Sequence, residues 1–157
     1  MKEFAVCGYV KEIEWLLRSV NMIVRKRGRD ILSAFGITPP QYNALYILNR
    51  DGSLTMGELC QKMYLAFSTM TDLINRMERN GYIERIRDEK DRRVVRLRVT
   101  ERGQRVIHEV LSARLRYLSL VLDRVSAEDK ARLITSLKQL HELMTQEVGL
   151  EQRAEAG

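Results

Sequence analysis

A mainly α-helical fold with one small β-hairpin wing is the class that this sequence predicts, and three observations predict it. Apolar residues recur at helical spacing along most of the chain. The period switches to strict alternation only between Ile83 and Val99. Glycine, proline or a capping pattern stands at nearly every change of element, so the chain carries its own punctuation.

The first helix runs from about Val10 to Phe35, with Val10, Ile13, Leu17, Val20, Val24, Ile31 and Leu32 in register, and Gly36 ends it. Thr38 followed by Pro39 and Pro40 opens a second helix, which continues through Tyr42, Leu45 and Leu48 and closes at the Asp51-Gly52 turn. Thr55 and Glu58 make a capping box for a third, short helix whose inner face is Leu59 and Met63. A fourth helix buries Met70, Leu73, Ile74 and Met77 and stops at Gly81. At about 100° per residue its opposite side carries Ser68, Asp72, Asn75 and Arg79, flanked by Thr69 and Arg76.

Ile83 and Ile86 flank a first strand, Val95, Leu97 and Val99 alternate with Arg96 and Arg98 in a second, and Asp88 to Arg92 is the charged turn between them. A fifth helix opens at Thr100 to Gly103 and runs through Val106, Val110, Leu118, Leu122 and Val125. The last follows Ser126 and buries Leu133, Leu137, Leu140 and Met144, with a frayed tail from Glu151. Methionines 63, 70 and 77 are core filling rather than a pliant ligand surface.

Charge narrows the function. The chain has 157 residues, a formal net charge of +6 and 45% hydrophobic content, enough for one compact core. Between Arg85 and Arg98 stand seven basic and three acidic residues, so most of the excess lies on the hairpin. No stretch has the length of a membrane span and the N-terminus lacks a signal-peptide core. Cys7 and Cys60 do not make a disulfide framework, which fits a reducing, cytoplasmic compartment. His108 and His141 lack partners at ligand spacing, so neither a metal nor a cofactor is expected. No nucleophile, base and orienter set and no phosphate-cradling glycine loop is present, which excludes the common enzyme classes.

Short helices, a polar-faced helix and a basic hairpin are the parts of a winged helix-turn-helix. A helix fits the major groove, where outward Ser, Thr, Asn and Arg side chains pair with base edges or phosphates, and a basic wing reaches the adjacent minor groove. The long terminal helices carry more apolar face than so small a lobe can cover, which points to a second copy of the chain and to a pseudo-palindromic double-stranded DNA site.

Several ordered pieces resemble the MarR family of bacterial and archaeal regulators. They are Ile37-Thr38-Pro39-Pro40-Gln41-Tyr42, Leu54-Thr55-Met56-Gly57-Glu58-Leu59, Ser68-Thr69-Met70-Thr71, Arg76-Met77-Glu78-Arg79-Asn80-Gly81-Tyr82-Ile83, Arg85, Asp88, Asp91-Arg92-Arg93 and Val99-Thr100-Glu101-Arg102-Gly103. Together they extend over roughly the middle half of the chain. The resemblance implies a single domain over 1–157, a DNA-binding lobe over 37–100, and dimerisation helices over 9–35 and 101–148. It implies DNA contact by Ser68, Thr69, Thr71, Asp72, Asn75, Arg76, Arg79, Arg92 and Arg93, with Arg93 entering the minor groove and Asp91 holding it. Arg76 and Arg79 have Glu78, Asp72 or the backbone as alternative partners. The chain departs from the family pattern at Asp72, where a basic or neutral residue is common, and at Ala66, where a polar helix cap is common.

In similar proteins a pocket between the two lobes takes phenolic or other aromatic anions. Here Trp15, Arg18, Met22, Tyr42, Tyr46 and Tyr117 stand on the corresponding elements, and packing of the junction is the other reading of the same rings. Peroxide-sensing relatives carry a reactive cysteine near the position of Glu14, whereas Cys7 precedes the helix. The expected function is therefore a sequence-specific transcription regulator, a repressor of nearby genes released by a small-molecule effector. The alternatives are a winged-helix protein-interaction module and a thiol-oxidation-responsive regulator using Cys7.

Overall fold

The computed structural model describes residues 8–155, with side chains to residue 147, so Cys7 lies outside the described residues. The order of elements is α1 (Gly8–Ala34), α2 (Pro39–Asp51), β1 (Leu54–Thr55), α3 (Met56–Met63), α4 (Phe67–Arg79), β2 (Ile83–Arg87), β3 (Val95–Val99), α5 (Glu101–Leu122) and α6 (Ala127–Glu155). The chain divides into two compact units, Met1–Leu115 and Arg116–Gly157, with the boundary inside α5.

Local chemistry sets the helix starts in the first unit. Thr38 caps α2 and accepts from the Gln41 amide at 3.5 Å, while the buried Gln41 side chain accepts from the Thr38 amide at 2.9 Å. Thr55 and Glu58 repeat the device on α3, at 3.3 Å and 2.7 Å. The turn from α3 to α4 passes through Tyr64 in the left-handed region, φ 52°, and its amide bonds back to the Gln61 carbonyl. At the start of α4, Ala66 supplies no side-chain cap.

The sheet has three antiparallel strands in the order β1-β3-β2: the expected β2–β3 hairpin is present, and β1 adds a strand along its β3 edge. Leu54 pairs with Leu97 and Thr55 with Arg96, a bond between segments far apart in sequence. Two residues are too short a strand to display alternation, so β1 left no periodic signal. Ile83 pairs with Val99 and Arg87 with Val95 across the β2–β3 ladder.

The core lies between the helix-turn-helix and the sheet. Leu45, Leu59, Met70, Ile74, Met77, Ile83, Leu97 and Val110 are its largest fully buried side chains. Ile31 and Leu32 from α1, together with Val106, Ile107 and Val110 from α5, join it. α1 and α5 therefore each contribute one end to the core around α2–α4 and the sheet. The rest of α1 exposes an apolar stripe that includes Val10, Ile13, Leu17, Val20 and Val24. In the second unit, α6 exposes Leu133, Ile134, Leu137 and Met144. No helix is long and apolar enough to cross a membrane among the described residues.

Thr100 and Gly103 lock the end of the sheet to α5. The Thr100 amide donates to the Tyr82 carbonyl at 3.1 Å, its hydroxyl donates to the Gly81 carbonyl at 2.6 Å, and the same hydroxyl oxygen accepts from the Gly103 amide at 3.1 Å. A Cβ on Gly103 would stand 2.2 Å from the Tyr82 carbonyl oxygen and 2.7 Å from a Val99 methyl. Backbone cannot yield there as a flexible side-chain tip would. Gly103→Ala is expected to lower unfolding free energy by about 1–3 kcal/mol in a denaturant titration. Gly57→Ala, at a helical position with nothing within 4 Å, leaves stability unchanged or slightly raised. Equal behaviour of the two variants would refute the close-approach account.

Candidate nucleic-acid interface

Rotation of α4 about its axis is fixed from within. Met70, Ile74 and Met77 recur at helical spacing and are fully buried, so the other side of the helix must face out. Ser68, Thr69, Asp72, Asn75, Arg76 and Arg79 all lie on that exposed side. Thr71 is half-buried, and its hydroxyl donates to the Phe67 carbonyl at 2.8 Å, so it is committed to the helix backbone.

Glu78 does not pair with Arg76 or Arg79. It is ion-paired with Arg85, which reaches across from β2 and also donates from Nη2 to the Asn75 side-chain oxygen at 2.9 Å. Among the described residues, Arg76 and Arg79 are left with no carboxylate, as is Asp72 with no cation. Asn75 and Glu78 are three apart on one face of α4, which lets a single guanidinium meet both.

Within the basic segment, carboxylates sort the arginines. Arg98 donates to Glu84 at 2.8 Å and 3.0 Å across the ladder. Arg96 pairs with Asp88 at the hairpin turn, approaches Glu58 at the start of α3 at 3.6 Å, and donates to the Ser53 carbonyl at 3.2 Å. One side chain thus ties β3 to both the hairpin turn and the helix-turn-helix. Arg87 closes the hairpin by donating to the Arg92 carbonyl at 2.7 Å.

The tip differs. Arg93 is held by Asp91 through two side-chain bonds of 3.1 Å and 3.0 Å, and the Arg93 amide donates to the same carboxylate at 3.0 Å. The Arg93 side chain is nonetheless 91% exposed, so the pair aims the guanidinium without covering it. Asp91 is held below the usual carboxylate range by Arg93. Lys90 and Arg92 are exposed and have no carboxylate partner among the described residues. The tip therefore presents Lys90, Arg92 and the paired but exposed Arg93 to solvent, beside the exposed Glu89.

The six residues matched to an effector pocket are placed less coherently. Trp15 and Met22 are exposed on α1, and Arg18 beside them is ion-paired to Glu14 at 2.6 Å. Tyr42 is buried in the core with the Arg114 guanidinium 4.7 Å from its ring centre, whereas Tyr46 on the same helix is exposed. Tyr117 belongs to the second unit. The Arg85–Asn75, Arg96–Asp88 and Arg114–Tyr42 contacts were missed by sequence reasoning. Each joins different elements, or the two ends of a hairpin, and no local spacing marks it.

An outward polar helix face and an arginine-rich β-hairpin, on one three-helix lobe with a small antiparallel sheet, define a winged helix-turn-helix transcription regulator. Comparison with known proteins narrows this. The MarR family model matches residues 37–95. The chain is 44% identical to the HTH-type transcriptional regulator YsmB of Bacillus subtilis over 86% of its own length and 93% of that protein's. It is 33% identical to the organic hydroperoxide resistance transcriptional regulator of the same organism, covering 82% of this chain and 88% of the other. A solved MarR family protein from Bacillus stearothermophilus matches with TM-score 0.78 and 49% identity, over 87% of this chain and 96% of that one. The chain belongs to the MarR family, whose members are transcription regulators and not enzymes.

The wing's internal ion pair has a pH signature. Asp88 is lowered to about 2, first by its bond from Arg96 and then by the Asp91 and Lys90 amides. A carboxyl depressed in the folded state stabilises the fold fully above its unfolded value of about 3.9, and that stabilisation is lost as pH falls through the folded value. The expected outcome is a melting temperature that declines between about pH 4 and pH 2 less steeply in Asp88→Asn than in the wild type. Parallel declines in thermal melts across that range would mean that Asp88 is not linked to folding.

Proposed function

We propose that the chain is a homodimeric DNA-binding regulator that represses nearby genes. In each half of a pseudo-palindromic duplex, α4 sits in the major groove and the β2–β3 tip in the minor groove. One observation carries this reading: the outward polar face of α4 and the exposed Lys90, Arg92 and Arg93 belong to the same lobe, with Lys90 and Arg92 free of a carboxylate partner among the described residues and Arg93 left 91% exposed by its pair with Asp91. Backbone phosphates reward such charge through counterion release, and base edges are read by the helix face. The uncapped start of α4 leaves backbone amides open toward a phosphate. The names of the two Bacillus subtilis regulators to which the chain is similar support the same class.

A second copy is the natural cover for the apolar stripe on α1, because monomeric proteins rarely leave so long a run of Val, Ile and Leu in water. A small aromatic anion is the proposed releasing effector, drawing on exposed Trp15, Met22 and Tyr46 and on Arg18 if it exchanges Glu14 for the ligand.

Arg93→Ala is expected to weaken binding to a selected duplex by about 1–3 kcal/mol and to reduce the salt slope by about one. Arg132→Ala, an exposed arginine of α6 paired with Glu128, is the control and leaves both unchanged. Fluorescence anisotropy over a salt series measures the two quantities. Equal losses in both variants would show that overall charge matters rather than wing placement, and failure of the wild type to bind any duplex at moderate salt would overturn the function. Sedimentation equilibrium at micromolar concentration is expected to give a dimer. A folded monomer there removes the two-fold site.

A further inference from the structure

We propose that Arg85 is a specificity-determining positioning residue, fixing the Asn75 amide so that its NH2 group faces the bases and favours guanine over adenine. The proposal rests on the DNA-reading role of α4 given above. An arginine has only donors, so the Asn75 atom 2.9 Å from Arg85 Nη2 is the amide oxygen and the orientation of the amide follows. The other end of the guanidinium is ion-paired with Glu78 on the next turn of α4, which keeps Arg85 from swinging away. Its place on β2 is set by the ladder, where Arg85 lies opposite the buried Leu97.

Asn75 itself is exposed, and its nitrogen meets no acceptor among the described residues. A freely turning asparagine reads adenine in the major groove by accepting from N6 and donating to N7 at once. Here the oxygen already faces a cation, so a second incoming donor, the adenine or cytosine amino group, is disfavoured at that atom. Guanine presents two acceptors, O6 and N7, on the same edge, and both suit a group that only donates. Arg85 thereby acts on sequence choice through Asn75 without needing to touch a base.

Selection of full-length protein from a pool of randomised DNA duplexes tests this, followed by affinity measurements on the enriched duplex with single base changes. Asn75→Ala is expected to lose discrimination at one position of each half-site and so identify the base concerned. The wild type should prefer guanine there about tenfold over adenine. Arg85→Met, which keeps the apolar stem but has no donor and so frees the amide, should bring that ratio to unity or reverse it, with other positions and the melting temperature unchanged. Arg85→Lys, which keeps a donor beside the oxygen, should restore the guanine preference. As a check that needs no variant, 7-deazaguanine at that position should weaken wild-type binding.

A wild-type preference for adenine overturns the proposal, as does an unchanged ratio in folded Arg85→Met. Loss of binding in Asn75→Ala that is equal for every sequence overturns it too, since Asn75 would then touch phosphate. Each of these leaves DNA recognition by α4 standing. Enrichment of no sequence by the wild type defeats that function and the proposal together.

Discussion

Burial of Met70, Ile74 and Met77 is the constraint on which the rest of the interface depends. Three side chains at helical spacing, all without solvent access, hold α4 in one rotational setting against the sheet and against α2 and α3. A turn of the helix by one residue would swing a methionine into water and a polar group into the core, which close packing and the cost of burying an unpaired polar group both forbid. The outward position of Ser68, Asn75 and Arg79 follows from what is packed beneath them. It needs no interaction of their own.

Electrostatics then divides the arginines by task. Carboxylates from elsewhere in the lobe meet Arg85, Arg96 and Arg98 and turn them into braces between α4, the sheet and the start of α3. These pairs are at least partly exposed, so each contributes little to stability, and what they supply is geometry. Arg93 is paired as well, but by a residue of its own turn that leaves the guanidinium exposed. Among the described residues, positive charge without a carboxylate partner is thus left both on the outward face of α4, at Arg76 and Arg79, and at the hairpin tip, at Lys90 and Arg92.

Much of this was legible in residue order. The Thr55–Glu58 capping box, the Thr38-Pro39-Pro40 entry and the stops at Gly36, Asp51-Gly52 and Gly81 mark element ends because capping and positive-φ chemistry acts over three or four residues. The Asp91–Arg93 contact is equally local. Strand β1 was not legible, since its two residues pair with Leu97 and Arg96 more than forty positions away. Nor was the partner of Glu78, for which nearby Arg76 and Arg79 were the obvious candidates and Arg85 of the next element is the observed one.

By itself the sequence determined the helix boundaries, the core stripe and polar face of α4, the basic hairpin and the family, because periodicity, caps and charge density are properties of neighbours along a chain. Only the tertiary structure decided which arginines brace the lobe and which stay open at the tip. It also decided that Tyr42 lies in the core under Arg114 and that Asn75 has its oxygen held. Those outcomes depend on distances between segments that folding brings together, and a guanidinium takes whichever carboxylate or amide oxygen the packed backbone places within its reach.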